Sequence, residues 1–273
     1  MELSSNPKVS VIMSVYNAEQ TLKKSIDSIL KQTYTNWEFI ICNDCSNDRT
    51  LKIISEYAQK DDRIKVISNK KNKRLAASLN ECLKIATGKY IARMDADDEC
   101  IADRIELQVK FLENNDKYAV VGCNAYINNG EKIVGIRKLK EKPTSKDVLF
   151  GPTFMHPTIM MHKEVYDALG GYTVSKRTVR GQDWDLWFRF FSEGYKGYNL
   201  QTPLLVYHES KEDMKKRNLK TSWMFTKTAL HGYKLLKVPA YMYIFALKPI
   251  ISQMTPKELK EKRRSRKNME IKA

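Results

Sequence analysis

Residues 88–98 read GKYIARMDADD, in which the apolar run Tyr90-Ile91-Ala92 continues through Arg93 and Met94 straight into Asp95, Ala96, Asp97 and Asp98. A short β-prone run that passes into three carboxylates predicts a buried strand whose tip opens on a polar crevice. The pattern recurs upstream. VSVIMSV (Val9–Val15) is β-branched and bounded by Pro7 and Asn17, and residues 38–42 and 64–68 are further short apolar runs. Between these runs apolar residues recur at helical spacing: Leu22, Ile26, Ile29 and Leu30, then Leu51, Ile54, Tyr57 and Ala58, then Leu75, Leu79, Cys82, Leu83 and Ala86. Ser46 or Asn47 is placed to cap the second helix, and Gly88 to stop the third. Beyond the acidic run come a helix around Ile105, Val109 and Leu112 and a strand over 118–122. Strand–helix alternation of this kind predicts an α/β fold, with a doubly wound, Rossmann-like, mainly parallel sheet and helices on both faces.

The second half is less regular. Gly151-Pro152 and His156-Pro157 punctuate it, Gly170-Gly171 marks a turn, and a helix is expected from about Gln182 to Ser192. Past Lys211 the sequence turns helical and basic, with an aromatic, apolar stretch over 238–252. The organisation expected is a catalytic domain over 1–210, split at about 123 into a nucleotide-binding half and an acceptor-side half over 124–210. A basic helical extension follows over 211–273.

At 273 residues, 42% apolar and 29% charged, the chain can bury a large core without disulfides, and a collagen-like or wholly disordered reading is excluded. No stretch approaches the ~20 apolar residues of a spanning helix. The short polar N-terminus lacks the apolar run of a secretory signal, so the cytosol is the expected compartment. Lys and Arg number 48 against 32 Asp and Glu, a net charge of +16 that calls for an anionic partner without choosing among nucleic acid, phosphorylated ligand and acidic membrane. The five cysteines include a C-x-x-C at Cys42 and Cys45; no second such pair completes a zinc set, and the thiols are expected reduced and mostly packed.

Ligands of open parallel sheets bind beyond the carboxyl ends of the strands. Here those ends carry Tyr16-Asn17, Asn43-Asp44 and Asp95–Asp98. Neither a G-x-G-x-x-G fingerprint nor a P-loop occurs. Three carboxylates in four residues suit a hard divalent cation, Mg²⁺ or Mn²⁺, which could bridge a ligand's phosphates. The other reading is a solvated acidic turn capping a helix that begins near Ile101.

Taken in order, VSVIMSVYNAEQTL (9–22), WEFIICNDCSNDRT (37–50), GKYIARMDADD (88–98), HPTIMMHKEVYDALGGY (156–172), GQDWDLWFRF (181–190) and PLLVYH (203–208) resemble the family-2 glycosyltransferases, inverting enzymes with the GT-A fold. The resemblance implies a nucleotide-sugar donor, a UDP-sugar, and a glycan or lipid-linked acceptor. It assigns Asp44 to the uracil ring, Val15, Tyr16 and Asn17 to the rest of the nucleoside pocket, and Asp95 and Asp97 to the family's D-x-D pair. Asp97 is then the direct metal ligand, and Asp183 stands where the family's catalytic base stands. A base at Asp183 is also reasonable chemically, since a carboxylate at a helix start can accept the acceptor's proton and the dipole favours its ionised form. An N-cap role competes with that reading, and Asp185 is the second candidate base. His208 is a candidate third metal ligand or phosphate contact. His156, Gln182 and Trp184 are candidates for the acceptor side, and Arg104 for pairing with the acidic cluster or a phosphate. Trp187, Phe188 and Phe191, at helical spacing, read as core more readily than as a sugar platform. The chain departs from the family in having Gln182 where Glu is usual and Asn43 beside Asp44 where an acidic pair is common. It also has Lys71-Asn72-Lys73-Arg74-Leu75 where a glycine is expected, leaving Lys73 and Arg74 as phosphate partners.

Two alternatives differ in class. A nucleotidyltransferase would carry a glycine-rich loop after the first strand, where Tyr16-Asn17-Ala18-Glu19 has none. A basic nucleic-acid or membrane-binding module leaves the acidic strand tips unexplained, and no nucleic-acid partner is expected. The stretch over 238–252, flanked by Lys234, Lys237 and the basic run 257–267, has the pattern of a segment lying in an anionic membrane interface. That would make the protein peripheral at the inner face of the cell membrane.

Overall fold

Four parallel strands form the first half of the sheet, and their registers show why each tip lands where it does. β1 (Val9–Val15) lies between β2 (Trp37–Asn43) and β4 (Tyr90–Arg93), with Val15 opposite Asn43 and Ile12 opposite Arg93; β3 (Ile64–Ser68) flanks β2. The residues after β1, β2 and β4 therefore emerge along one edge. The computed structural model describes residues 6–209 and 218–254. Helices α1 (Leu22–Leu30), α2 (Thr50–Ala58) and α3 (Leu75–Ile85) make the crossovers. After β4 come β5 (Glu99–Cys100), α4 (Arg104–Glu113), β6 (Val120–Asn128), β7 (Ile133–Arg137), β8 (Met160–His162), α5 (Lys163–Ala168), α6 (Gln182–Ser192) and β9 (Gly197–His208). The chain resumes with α7 (Leu219–Leu235), a 3-10 segment (Ala240–Leu247) and α8 (Lys248–Met254).

The strand order is β3-β2-β1-β4-β8-β6-β9-β5, with β7 paired to β6. The sheet is mixed where a mainly parallel one was expected. β8 runs antiparallel to both β4 and β6, β7 to β6 and β5 to β9, while β6 and β9 are parallel. The cause lies in the connections: β6 and β7 are joined by a short turn, which admits antiparallel neighbours that a crossover helix does not. Helices cover both faces. Alternate β1 residues point to opposite cores: Val9, Val11, Met13 and Val15 pack with α1, α2 and α4, whereas Ile12 packs with α3, α5, α6 and α7. Ala229 and Tyr233 of α7 are fully buried in that second core, so the first part of the C-terminal extension is continuous with the domain before it. Gly232 makes the approach possible, because a Cβ there would sit 2.1 Å from the Phe188 ring of α6.

Several local expectations are corrected. Gly88 does not stop α3; the helix ends at Ile85 and Ala86 is extended. Gly88 is needed for close approach instead, since a Cβ would lie 2.5 Å from the Ser10 nitrogen, and its own N–H donates to Ser10 Oγ at 2.9 Å. Neither Ser46 nor Asn47 caps α2. Asp48 Oδ1 accepts the Thr50 N–H at 2.9 Å, while Ser46 Oγ and the Asn47 N–H bind Asn17 and tie the tips of β1 and β2 together. Residues 99–100 form a strand, so α4 starts at Arg104 rather than near Ile101. Of the five cysteines, all unbridged, Cys45 alone is not buried.

One buried carboxylate clamps the parallel half. Glu38 of β2, 2% exposed, accepts from Ser10 Oγ at 2.6 Å, from the Thr87 N–H and hydroxyl at 2.8 Å each, and from Lys65 Nζ at 2.7 Å. Burial raises its pKa, but the hydrogen bonds from Lys65, Ser10 and Thr87 outweigh burial and bring it from 4.5 to about 2. A depressed carboxylate contributes stability above its unfolded pKa that is lost as pH falls through the folded one. Glu38→Gln is therefore expected to cost about 2 kcal/mol at neutral pH by urea unfolding. The gap to wild type should close as pH falls from 4.5 toward 2; a pH-independent gap would assign the loss to packing instead of charge.

Candidate active site

The first wall of the crevice is built where β1 and β2 end. Val15 is buried and its carbonyl accepts the Asp44 N–H at 2.8 Å; Tyr16 projects outward, 49% exposed. Asn17 adopts a left-handed conformation, φ 49°, held by its contacts with Ser46 and Asn47. Asp44 is almost fully buried, and its carboxylate gathers the loop before α3: Oδ1 accepts from Asn69 Nδ2 and the Lys73 N–H, both at 2.8 Å, and Oδ2 accepts the Arg74 N–H at 2.7 Å. Three of about four acceptor positions are thus filled by protein, leaving one on Oδ2 for a ligand N–H. The Lys73 ammonium lies 3.3 Å from Glu81, on the flank of α3. Arg74 has φ 71° and ψ 167°, a region that belongs to glycine, while its side chain is exposed.

The second wall follows β4. Asp95 accepts from the Arg93 guanidinium at 2.6 Å, and Arg93 is only 1% exposed. Asp97 is exposed. Asp98 is fully buried; its Oδ1 accepts the His208 N–H at 3.0 Å, and its Oδ2 is buried without a partner. Burial, then the negative charges of Asp95 and Asp97, raise the Asp98 pKa well above the ordinary carboxylate range. The His208 side chain lies 3.7 Å from Glu99, and its Nδ1 is likewise buried and unpartnered. The far end of β9 is thereby brought to the acidic run, which sets His208, a candidate from the sequence, beside Asp98. Among the described residues no three His, Cys, Asp or Glu side chains gather as a metal cage.

The third wall is the start of α6. Asp183 occupies its first turn, partly buried, and its pKa is raised, with burial the largest cause. The N–H groups of residues 183 and 184 and the charge of Arg93 oppose that rise without cancelling it, so the helix start does not win as the sequence suggested. Asp185 is no alternative base. It is 1% exposed, accepts from Thr173 Oγ1 at 2.6 Å and from Arg189 Nε at 3.0 Å, and is paired with Arg177. Burial raises its pKa, but the bonds from Thr173 and Arg177 and the charge of Arg189 more than offset that and lower it. Trp184 is turned into the core, its indole N–H donating to the Val148 carbonyl at 2.6 Å and its ring packed near Phe188 and Phe225. Trp187 and Phe188 are fully buried beside it, and Phe191 nearly so. Gln182 is partly exposed. His156 is buried with Nε2 2.9 Å from the Tyr172 hydroxyl, which lies 2.9 Å from that of Tyr166. Burial, aided by Arg93, holds the His156 pKa well below its usual value, so it is neutral.

Arg104 is a correction. It is 1% exposed and reaches neither carboxylate nor crevice: Nη2 donates to the carbonyls of Arg93 at 2.9 Å and Ile159 at 3.3 Å, Nε donates to Gln108 at 3.1 Å, and Nη1 contacts Cys100 Sγ at 3.0 Å. The residue that sequence reading missed is Arg93. Its signal was available, a charged residue inside a buried strand, and such a residue is almost never buried without a partner.

With this geometry in view, the similarities to known proteins are specific. The pattern of Glycosyl transferase family 2 matches residues 10–170. The chain belongs to that family. It is 46% identical over 255 residues to the putative glycosyltransferase EpsE of Bacillus subtilis, spanning 93% of this chain and 92% of that one. Against the Escherichia coli UDP-Glc:alpha-D-GlcNAc-diphosphoundecaprenol beta-1,3-glucosyltransferase WfgD it is 37% identical over 170 residues, covering 58% of this chain and 66% of WfgD. The fold matches residues 1–349 of Staphylococcus aureus TarS in complex with UDP-GlcNAc, with a TM-score of 0.68 at 18% identity over 91% of this chain and 82% of that one. It also matches the Pyrobaculum calidifontis mannosyltransferase solved with GDP-Man and Mn²⁺, with a TM-score of 0.64 at 17% identity over 91% and 75% of the two chains. This family-2 glycosyltransferase thus has the GT-A architecture its sequence implied, with C-terminal helices added.

Arg74 holds a backbone conformation that favours glycine, φ 71° and ψ 167°. Arg74→Gly is expected to relieve strain and raise stability by about 1 kcal/mol in urea unfolding. A loss of stability would show that the guanidinium contributes more to the fold than its conformation costs.

Proposed function

We propose that this chain is an inverting glycosyltransferase that moves a sugar from a UDP-sugar to a hydroxyl of a glycan or lipid-linked acceptor, with Asp183 as general base. The observation that carries the reading is the placement of Asp183 in the first turn of α6, close enough to Arg93 and Asp95 to feel their charges, on the third wall of a crevice whose second wall is the acidic run. Burial raises its pKa above the ordinary aspartate value, which strengthens the carboxylate as a proton acceptor. In the reaction the acceptor hydroxyl passes its proton to Asp183 as its oxygen bonds to the anomeric carbon. The bond from that carbon to the diphosphate breaks on the opposite face, the electron pair leaving with the diphosphate oxygen, and the configuration inverts.

On the donor side we place Asp44 at the base, with Val15, Tyr16 and Asn17 around the nucleoside, Asp95 toward the sugar, and Lys73 and Arg74 toward the diphosphate. Arg93 acts as a positioning residue that fixes Asp95. On the acceptor side, Gln182 adjoins the base, whereas Trp184 and His156 support the wall from within, Trp184 through Val148 and His156 through Tyr172. All of these residues lie within the segment 1–210, and α7 of the extension packs into the same core. The donor and acceptor classes are supported by WfgD, whose name states a UDP-sugar donor and a lipid diphosphate acceptor. A place in polysaccharide biosynthesis follows the same relatives, TuaG of Bacillus subtilis being named for teichuronic acid. We place the protein in the cytoplasm, peripheral at the inner face of the membrane.

A divalent cation, Mn²⁺ or Mg²⁺, is compatible with the residues present. Asp97 and His208 would supply one carboxylate and one imidazole, and Asp98 Oδ2 and His208 Nδ1 are each buried without a hydrogen-bond partner. That set suits an ion that takes its remaining ligands from phosphate oxygens. When bound, the cation offsets the charge that builds on the departing diphosphate.

Asp183→Asn is expected to bind UDP within about twofold of wild type by calorimetry, yet to lose transfer by about a thousandfold. Because the folded pKa is raised, wild-type transfer should fall on the acid side at a higher pH than an unperturbed aspartate would give, as Asp183 takes up a proton. Retained transfer in Asp183→Asn sinks the base assignment. Separately, Asp97→Asn or excess chelator should collapse transfer, and undiminished turnover in chelator would remove the metal from the reading.

A further inference from the structure

The C-terminal elements present an apolar face to water. Tyr241 is 78% exposed, Ile244 64% and Ile251 59%, with Phe245 and Leu247 beside them. The backbone beneath is anchored. Ala246 is fully buried, Tyr233 and Tyr243 meet edge-on with centroids 5.7 Å apart, and the Tyr233 hydroxyl donates to the Leu149 carbonyl at 2.8 Å. Phe150, itself 47% exposed, continues the face onto the catalytic domain, its ring 5.5 Å from that of Phe245. Large apolar side chains held rigidly in water mark a surface that another body covers.

Charge identifies that body. Lys234, Lys237 and Lys248 are exposed around the face, and Lys248 Nζ donates to the Phe150 carbonyl at 3.1 Å. No acidic residue occurs between Asp213 and Glu258, and residues 255–273 add eight Lys and Arg against three Glu. Apolar and aromatic side chains with exposed lysines around them suit an anionic lipid surface, with tyrosine at headgroup depth and the lysines on phosphates. No described helix is long and apolar enough to cross a membrane, so the contact is interfacial.

We infer that Phe150, Tyr241, Ile244, Phe245, Leu247 and Ile251 form a docking face for the surface of an anionic bilayer. The face has a fixed relation to the catalytic helix: Phe150 ends the 3-10 turn Asp147–Phe150, and Val148 of that turn holds Trp184, the neighbour of Asp183. Docking would thus set the start of α6 beside acceptors carried in the membrane. This deepens the peripheral-membrane reading above and rests on it for the nature of the acceptor.

The test uses the full chain with vesicles of phosphatidylglycerol mixed into phosphatidylcholine, and with phosphatidylcholine alone. Wild type should float with the anionic vesicles and bind the neutral ones at least about tenfold more weakly. Ile244→Ser/Phe245→Ser/Ile251→Ser should lose anionic binding by about tenfold or more, with wild-type UDP binding and thermal midpoint. Hydrogen exchange on the wild type with and without vesicles needs no variant, and should slow over 240–251. Absence of flotation at low salt, unchanged binding of the triple variant, or vesicle-independent exchange would each overturn the face. So would a concentration-dependent dimer abolished by the triple variant, or a fallen thermal midpoint without exchange protection, which assign the face to a second copy or to internal packing. UDP binding is read in the same samples, so failure of the docking face and failure of the transferase reading remain distinct.

Discussion

The orientation of the two halves depends on a guanidinium with no carboxylate partner. Arg104 of α4 lies beneath the seam where β4 meets β8, and binds the carbonyls of Arg93 on one side and Ile159 on the other. Gln108, one turn on, receives a bond from Arg104 and donates to the carbonyl of Thr158 at 2.7 Å. A buried charge costs several kcal/mol unless its hydrogen-bonding groups are engaged. Here two carbonyls, Gln108 and the Cys100 sulfur satisfy it, and the carbonyls belong to the strand that runs into the acidic run and to the segment that follows the turn carrying His156. Stabilising the cation and fixing the crevice are one event.

The parallel half was legible because each strand is short and largely apolar and each helix shows a clean period; Val9–Val15 and Ile64–Ser68 fall where the residues put them. The sheet beyond β4 was not. Met160–His162 is too short to announce a direction, and the pairing of β9 with both β5 and β6 joins residues about a hundred positions apart. Gly88 misled for a related reason, because a glycine after a helix reads as a stop, while its need here comes from Ser10 in another strand.

Within the candidate site, Asp44, the acidic run and Asp183 could be singled out because strand ends and helix starts are visible in one dimension. Their states were not visible. The sequence set Asp183 at a helix dipole and Asp185 as its near equal; the fold buries one against the dipole's help and commits the other to Arg177 and Arg189. Arg93 and Arg104 were misjudged in opposite senses, one overlooked and one assigned to the crevice, because burial of a long cationic side chain depends on carbonyls that no spacing rule reveals.

Gly232 has a bearing on how such enzymes are recombined. With no room for a β-carbon between α7 and the Phe188 ring, the roof over α6 is a matched fit specific to this pair. A chimera that grafts a foreign C-terminal segment onto this scaffold inherits that steric condition. Where the donor segment lacks glycine at this register, the graft must either re-carve Phe188 to a smaller residue or lift the roof away from the helix that carries Asp183. Modularity here stops at the width of one methyl group.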